Sequence, residues 1–261
     1  MIYPEVARLI EQIDCPRITY EPEKNKTLVF LDTRFKDWYY HLFRIFLSSV
    51  GPEWNLTILC PSEHIPKYRH MLETRLGCES RILELGTDIT TIGAYNRLLT
   101  DPNFYRQIPE ETMLIFQSDS QAFRPFDPRY LGYNYVGAFW KKGIMGLWFG
   151  NGGTSLRKTR VIQRLLEQNP YRIRINEDVY ISKLIQDAGL MNCPLDDAKK
   201  FSSEQVLDPY SIYGHKLYAY IGHHRLKEYW VRTLENWIME QRSCGAIRKE
   251  ISLFNLAEQP G

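Results

Sequence analysis

The chain has 261 residues, enough for one large domain or two small ones and for a sizeable core. Hydrophobic residues make up 44% and charged residues 25%, which excludes a wholly disordered or fibrous chain. Thirty-three Lys and Arg against 31 Asp and Glu leave a net charge of +2, an even balance that argues against nucleic acid or an anionic membrane surface as partner.

Val6, Leu9, Ile10 and Ile13 recur at helical spacing and predict a short first helix. Residues 27–31 (TLVFL) predict a buried strand that ends at Asp32-Thr33-Arg34. Asp37 is the expected cap of a helix through Trp38, Leu42, Ile45, Phe46 and Ser49, stopped by Gly51-Pro52. A strand at 56–60 (LTILC) and a helix from Ser62 to Gly77 follow. A third strand at 81–85 (RILEL), a helix near 89–99 broken by Asp101-Pro102-Asn103, and a fourth apolar run at 112–116 (TMLIF) complete a β-α-β-α-β-α-β series. That spacing predicts an α/β fold with right-handed crossovers and a largely parallel sheet. Ligands in such sheets bind beyond the carboxyl ends of strands, so the residues just after each strand carry the most weight.

Beyond residue 130 the segments 133–138 and 145–149 bracket a Gly-rich loop, GNGGTSLR (150–157), with helices expected at 158–169 and from Asn176-Glu177-Asp178 to Gly189. Short strands are expected at 201–206 and 217–221, then a long helix from about 226 to 242. Its stripe of Trp230, Leu234, Trp237 and Ile238 suits either the core or a partner surface. No repeat or linker separates the halves, which predicts a single domain over 1–261.

Aromatic residues reach 13%, with Tyr the commonest at 17, and rings with one polar end suit a cleft that stacks sugars or bases. The five cysteines are an odd, scattered set that fits neither a disulfide framework nor a zinc site. Glu5 and Glu11 interrupt the start, which lacks the apolar core of a signal peptide, and the apolar stretch 144–150 is far short of the ~18 residues of a membrane span. The expectation is a soluble, cytoplasmic protein.

Four constellations stand out, each with two readings. In FQSDS (116–120), Asp119 holds a divalent cation or caps the next turn. Gly150, Gly152 and Gly153 let backbone approach a ligand, or form a tight turn, and match neither G-x-G-x-x-G nor a P-loop. Glu177 and Asp178 supply a general base or simply stabilise a helix start. His215 and Lys216 complete a metal site and neutralise phosphate, or are ordinary packed and surface residues.

Taken in order, FQSDS, YNYVGAFW (133–140), GNGGTSLR, NEDVYIS (176–182), FSSE (201–204) and YGHK (213–216) resemble a family of glycosyltransferase-like domains of largely unassigned substrate, found in bacteria, fungi and large DNA viruses. LVFLDTRF (28–35) and YNRLLTDPNFY (95–105) resemble the same family, so the likeness covers about residues 27–220. The resemblance implies a GT-A-like domain, Rossmann-like with a mixed, mostly parallel sheet flanked by helices. It would comprise a nucleotide-binding half (27–120), a donor and acceptor half (121–222) and a C-terminal helical segment (223–261).

By the same resemblance, Asp119 and His215 would hold Mn²⁺ or Mg²⁺. Asp32, Thr33, Arg34, Gln117, Ser118, Gly152, Gly153 and Lys216 would bind the nucleotide-sugar donor. Asp178, beside Glu177, would be the base of an inverting transfer to a glycan or other hydroxyl acceptor. Gln117 stands where the first carboxylate of a D-x-D motif belongs, so the cation would be held weakly until a diphosphate adds its oxygens. Two other readings remain open. One is a metal-dependent nucleotidyltransferase; the other is a non-catalytic nucleotide-sugar or glycan binding module using Trp140, Trp148, Tyr133 and Tyr135 as a platform.

Overall fold

The computed structural model describes residues 3–172, 175–205, 207–217 and 223–257, with side chains of the last helix described to residue 244. The apolar runs become strands β1 (Lys26–Leu31), β2 (Asn55–Cys60), β3 (Arg81–Glu84) and β4 (Thr112–Phe116), mutually parallel in the order 3-2-1-4. After a short β5 (Ser120–Ala122), strands β6 (Tyr135–Ile144) and β7 (Leu147–Lys158) form a hairpin that extends the sheet to the order β3-β2-β1-β4-β7-β6. β7 is antiparallel to both its neighbours and is the one reversed strand. The result is the largely parallel sheet of an α/β fold that the strand spacing predicts, and the mixed, helix-flanked form that the resemblance implies. β8 (Ser202–Ser203) and β9 (Tyr213–His215) join β5 in a second small sheet.

Alternation along each strand decides which layer a residue enters. On β1 and β4, Leu28, Phe30, Leu114 and Phe116 pack into one core, while Val29, Leu31, Met113 and Ile115 pack into the opposite one. Both faces are covered, which is why these runs are apolar throughout. The first face is covered by α1 (Pro4–Ile10), α2 (Tyr39–Val50), α3 (Ile65–Met71), α8 (Leu195–Phe201) and the C-terminal helix α9 (His223–Ala257). The second is covered by α4 (Ile92–Leu99), α5 (Pro102–Arg106), α6 (Thr159–Gln168) and α7 (Glu177–Asp187). Trp230, Leu234, Trp237 and Ile238 all lie in the first core, so packing rather than a partner accounts for that stripe. Among the described residues, no helix is long and apolar enough to cross a membrane.

Several local expectations are corrected. Asp37 does not cap α2: it sits inside a turn, its carbonyl bonded by the Tyr40 N–H, and Trp38 holds the cap position without a side-chain bond. The helix after β3 begins only at Ile92, where Thr91 Oγ1 accepts from the Ala94 N–H at 3.2 Å; residues 89–91 stay outside it. GNGGTSLR is not a loop but the inner half of β7, because Thr154 through Lys158 pair with Phe116 through Thr112. The strand expected at 217–221 lies, but for Leu217, outside the described residues, as does Val206 of the preceding expected strand; a strand is present at Tyr213–His215. The terminal helix is longer than its periodicity shows, running from His223 to Ala257.

Candidate functional site

The topology brings five separated segments to one place. Asp32, Thr33 and Arg34 follow β1; Gln117, Ser118 and Asp119 follow β4; Gly152 and Gly153 lie on β7; Glu177 and Asp178 open α7; His215 and Lys216 end β9. All twelve line one cleft of about 600 Å³ beyond the carboxyl ends of β1 and β4. Asn96, Tyr95, Glu204 and the segment 89–92 line it too. Tyr95, Asn96 and Glu204 sit inside motifs recognised in the sequence, but nothing in composition or spacing singles them out.

Asp119 and His215 are 96 positions apart in the chain and are joined by pairing of the second sheet, in which Ser120 faces His215. His215 is buried, and its Nδ1 stands 3.2 Å from Asp119 Oδ1. The Asp119 turn is pinned from behind: Gln117 N–H and Ser120 Oγ both donate to the Gly153 carbonyl, at 3.1 and 3.0 Å. Burial alone would raise the Asp119 carboxyl, but the His215 hydrogen bond and the charges of His215 and Lys216 outweigh it and hold the group below the usual carboxylate range. Lys216 is exposed, adopts φ of +51° and donates its backbone N–H to the Asp119 carbonyl at 3.3 Å. A left-handed non-glycine residue is uncommon, and this one turns the chain directly after His215.

The two glycines are explained by proximity, not by left-handed backbone. Of the glycines in the 150–153 stretch only Gly150 has φ in that region, at +135°. A Cβ on Gly153 would overlap the far edge of the His215 ring, and one on Gly152 would overlap the Glu177 carboxylate. The space their missing side chains leave is filled by the protein's own groups, while both glycines line the cleft.

Glu177 and Asp178 part company. Glu177 is 3% exposed, and both of its oxygens accept from Arg157 Nη2, at 3.2 and 3.3 Å. Arg157 is wholly buried and also donates to Ser155 Oγ and Tyr105 Oη, at 2.9 and 3.0 Å. Burial pushes the Glu177 carboxyl up to about 7, with the Asp178 charge adding and Arg157 opposing. Asn96 Oδ1 accepts from the Glu177 N–H at 3.1 Å, fixing the start of α7. Glu177 is thus engaged by Arg157 through its carboxylate and by Asn96 through its backbone. Asp178 is half-buried instead: Oδ2 accepts from the Gly152 N–H at 3.1 Å and Oδ1 from the Val179 N–H at 2.7 Å, so both oxygens are oriented and keep lone pairs for a further donor.

Asp32 is likewise engaged within the protein. Its oxygens accept from Arg34 N and Nε, at 2.9 and 3.0 Å, and from the Tyr39 hydroxyl. Glu204 differs: it is 6% exposed, its Oε2 has no hydrogen-bond partner, and burial raises its carboxyl. With Asp32 matched by Arg34 and Glu177 by Arg157, the cleft is left with Asp119, Asp178 and Glu204 against Lys216 and His215. A second chamber of about 400 Å³ shares Arg34, Ser118 and Asp119 with the cleft and is walled by Tyr3, Trp38, Tyr39 and Trp230. The four rings do not form one platform, since Trp140 and Tyr135 are buried.

The chain belongs to the family described as a protein of unknown function, DUF5672, whose model matches residues 78–224. A search by sequence among curated proteins finds no match. Among solved structures it is similar to the glycosyltransferase GlyE of Streptococcus pneumoniae, at 15% identity and a TM-score of 0.46, covering 83% of this chain and 64% of that one. Mouse xyloside xylosyltransferase 1 gives 10% identity and 0.49, covering 77% and 99%. The mannosyltransferase PcManGT of Pyrobaculum calidifontis, solved with GDP-Man and Mn²⁺, gives 12% and 0.42, covering 71% and 59%. At TM-scores below 0.5, none of these likenesses bears on what the cleft does.

Proposed function

We propose that the protein is a glycosyltransferase that moves a sugar from a nucleotide-sugar donor to a hydroxyl of a glycan or glycoconjugate, with inversion and with Asp178 as general base. The observation that supports this most is convergence: every residue assigned by motif, from five separated segments, lines one strand-end cleft.

A divalent cation, Mn²⁺ or Mg²⁺, fits the residues present. Two neighbouring ligands of an octahedral cation at about 2.1 Å lie about 3.0 Å apart. Asp119 Oδ1 and His215 Nδ1 stand at 3.2 Å, so a cation held by both would displace the proton they share, and three carboxylates lack an arginine partner. Among the described residues, no group of three His, Cys, Asp or Glu side chains can hold a metal, so the donor's diphosphate would supply the remaining oxygens. Bound there, the cation would neutralise the leaving nucleoside diphosphate.

The remaining work falls to the chain itself. Lys216 adds positive charge beside the diphosphate. The aromatic chamber across Asp119 offers the donor's base a stacking wall. Asp178, held by two backbone N–H groups, takes the proton from the acceptor hydroxyl as it attacks an oxocarbenium-like centre from the opposite face. Arg157 and Glu177 keep Gly152 and the start of α7 in register beneath it.

The test is a melting series with nucleoside diphosphates and their sugars, with Mn²⁺ and then with chelator, followed by transfer assays. A donor at about 100 times its dissociation constant adds about 2.7 kcal/mol, lost on chelation. Asp178→Asn should lower transfer by about 10²–10⁴-fold while leaving the donor shift intact. Full transfer by that variant removes Asp178 from the role, and the absence of any donor shift removes the nucleotide-sugar reading.

A further inference from the structure

The end of the β6–β7 hairpin carries side chains that the cleft does not use. Lys141, Lys142, Ile144 and Met145 are exposed, and Trp148 follows on the returning strand. Ile144, Met145 and Trp148 are 36%, 58% and 52% exposed. Met145 and Gly146, with φ of +51° and +80°, form a tight two-residue turn between paired Ile144 and Leu147, which sets these groups at the hairpin's end. Ile144 shares the face of its paired Leu147 and Trp148 lies against Gly143 on the other, so the exposed apolar side chains surround the hairpin's end on both faces. Folding gains nothing from apolar side chains held in water there, and together at one tip they mark an interaction surface.

Charge identifies the partner. From Tyr135 to Lys158 the hairpin contains four basic residues and no acidic one. Arg157 is buried against Glu177 and Lys158 pairs with Glu111, so Lys141 and Lys142 are the charge displayed at the tip. The near-neutral total for the whole chain conceals this local excess. Three apolar side chains are far fewer than the ~20–30 residues per side of a standard protein interface. Tryptophan and lysine on one small tip suit the boundary of a bilayer, where the ring sits among headgroups and the ammonium groups meet anionic lipid. We propose that this hairpin tip docks the protein on an anionic membrane surface, with Ile144, Met145 and Trp148 entering the boundary and Lys141 and Lys142 against the headgroups. The inference stands without the transferase reading. Leu147 and Gly152 are five residues apart on β7, roughly 16 Å at ~3.3 Å per residue, so docking would set the cleft close above the bilayer.

The experiment is co-sedimentation of the full chain with vesicles of phosphatidylcholine alone or with added phosphatidylglycerol, at low and high salt. Binding should require the anionic lipid and fall with salt. The double variant Lys141→Gln, Lys142→Gln should bind about thirty-fold more weakly, at the usual worth of a lysine near anionic lipid. Met145→Ser with Trp148→Ser should remove the binding that survives high salt. All four positions are exposed, so melting temperatures equal to that of the parent show that the variants fold. Equal partition onto both vesicle types, or no loss in the lysine variant, overturns the proposal. So does a dimer in solution that the Met145 and Trp148 variant abolishes while no vesicle is bound, because the tip would then be a contact with a second copy.

Discussion

Replacing Arg157 by Met probes the buried pair beneath the cleft and yields a pH-dependent result. The guanidinium is wholly buried and donates to Ser155, Tyr105 and Glu177. Methionine fills similar space without charge, leaving the Glu177 carboxylate buried and unmatched. Breaking a buried pair in this way typically costs about 3–5 kcal/mol. The sign with pH follows from Glu177, whose folded-state pKa of about 7 lies above its ordinary value of 4.5. A carboxyl raised on folding contributes its stability below the unfolded value and loses it as pH rises through the folded one. Without Arg157 the folded value climbs further, so parent and variant lose stability in parallel up to about pH 7 and diverge above it. That divergence grows by up to about 1.4 kcal/mol per pH unit. On the acid side the deficit reduces to the bonds to Ser155 and Tyr105, about 1 kcal/mol each. Urea unfolding on either side of neutrality, for the parent, Arg157→Met, Glu177→Gln and the double variant, measures this. A deficit that is the same at both pH values, or that widens equally when Glu177 is Gln, would refute the reasoning.

Two further outcomes follow from the same geometry. Gly153→Ala places a methyl group on the His215 ring, and overpacking of this kind costs about 1–3 kcal/mol. Its melting temperature should fall and, on the transferase reading, the metal-dependent donor shift with it; an unchanged melt would show that the ring yields freely. Glu204→Gln removes a buried carboxylate whose Oε2 has no partner and whose pKa is raised by burial. By the same sign rule the variant should match the parent in acid and exceed it in base, so a variant less stable than the parent in base would mean that the charge is satisfied by a group beyond Lys216 and His215.

The strands and the side of the sheet that matters were legible because both rest on local pattern. Runs such as TLVFL and TMLIF are apolar throughout because both faces of a parallel sheet are buried, and that alone places Asp32 and Asp119 at its carboxyl edge, where the cleft lies. Where a residue's role depends on its own few neighbours in sequence, the reading held: Gly51 ends α2, and Gly77 ends the π-helical turn Leu72–Leu76 that continues α3, with φ of +80° and +60°. Asp37 failed as a cap because it lies inside a turn closed by the Tyr40 N–H, so that the helix starts one residue later than its position requires.

How the cleft's carboxylates are partnered was decided by tertiary structure alone. Glu177 and Asp178 are adjacent acids at one helix start, indistinguishable in sequence. One meets a buried guanidinium from β7, and the other meets the backbone of Gly152. Gly152 and Gly153 suggested a flexible loop, yet they lie in a strand whose neighbours, Glu177 and His215, come from 25 and 62 residues downstream. Glu204 carried no signal because its meaning lies in burial without a partner, a property of the packed chain and not of any segment. Periodicity and turn chemistry are local and survive in the sequence, whereas desolvation and charge pairing depend on which distant groups the fold brings within a few ångströms.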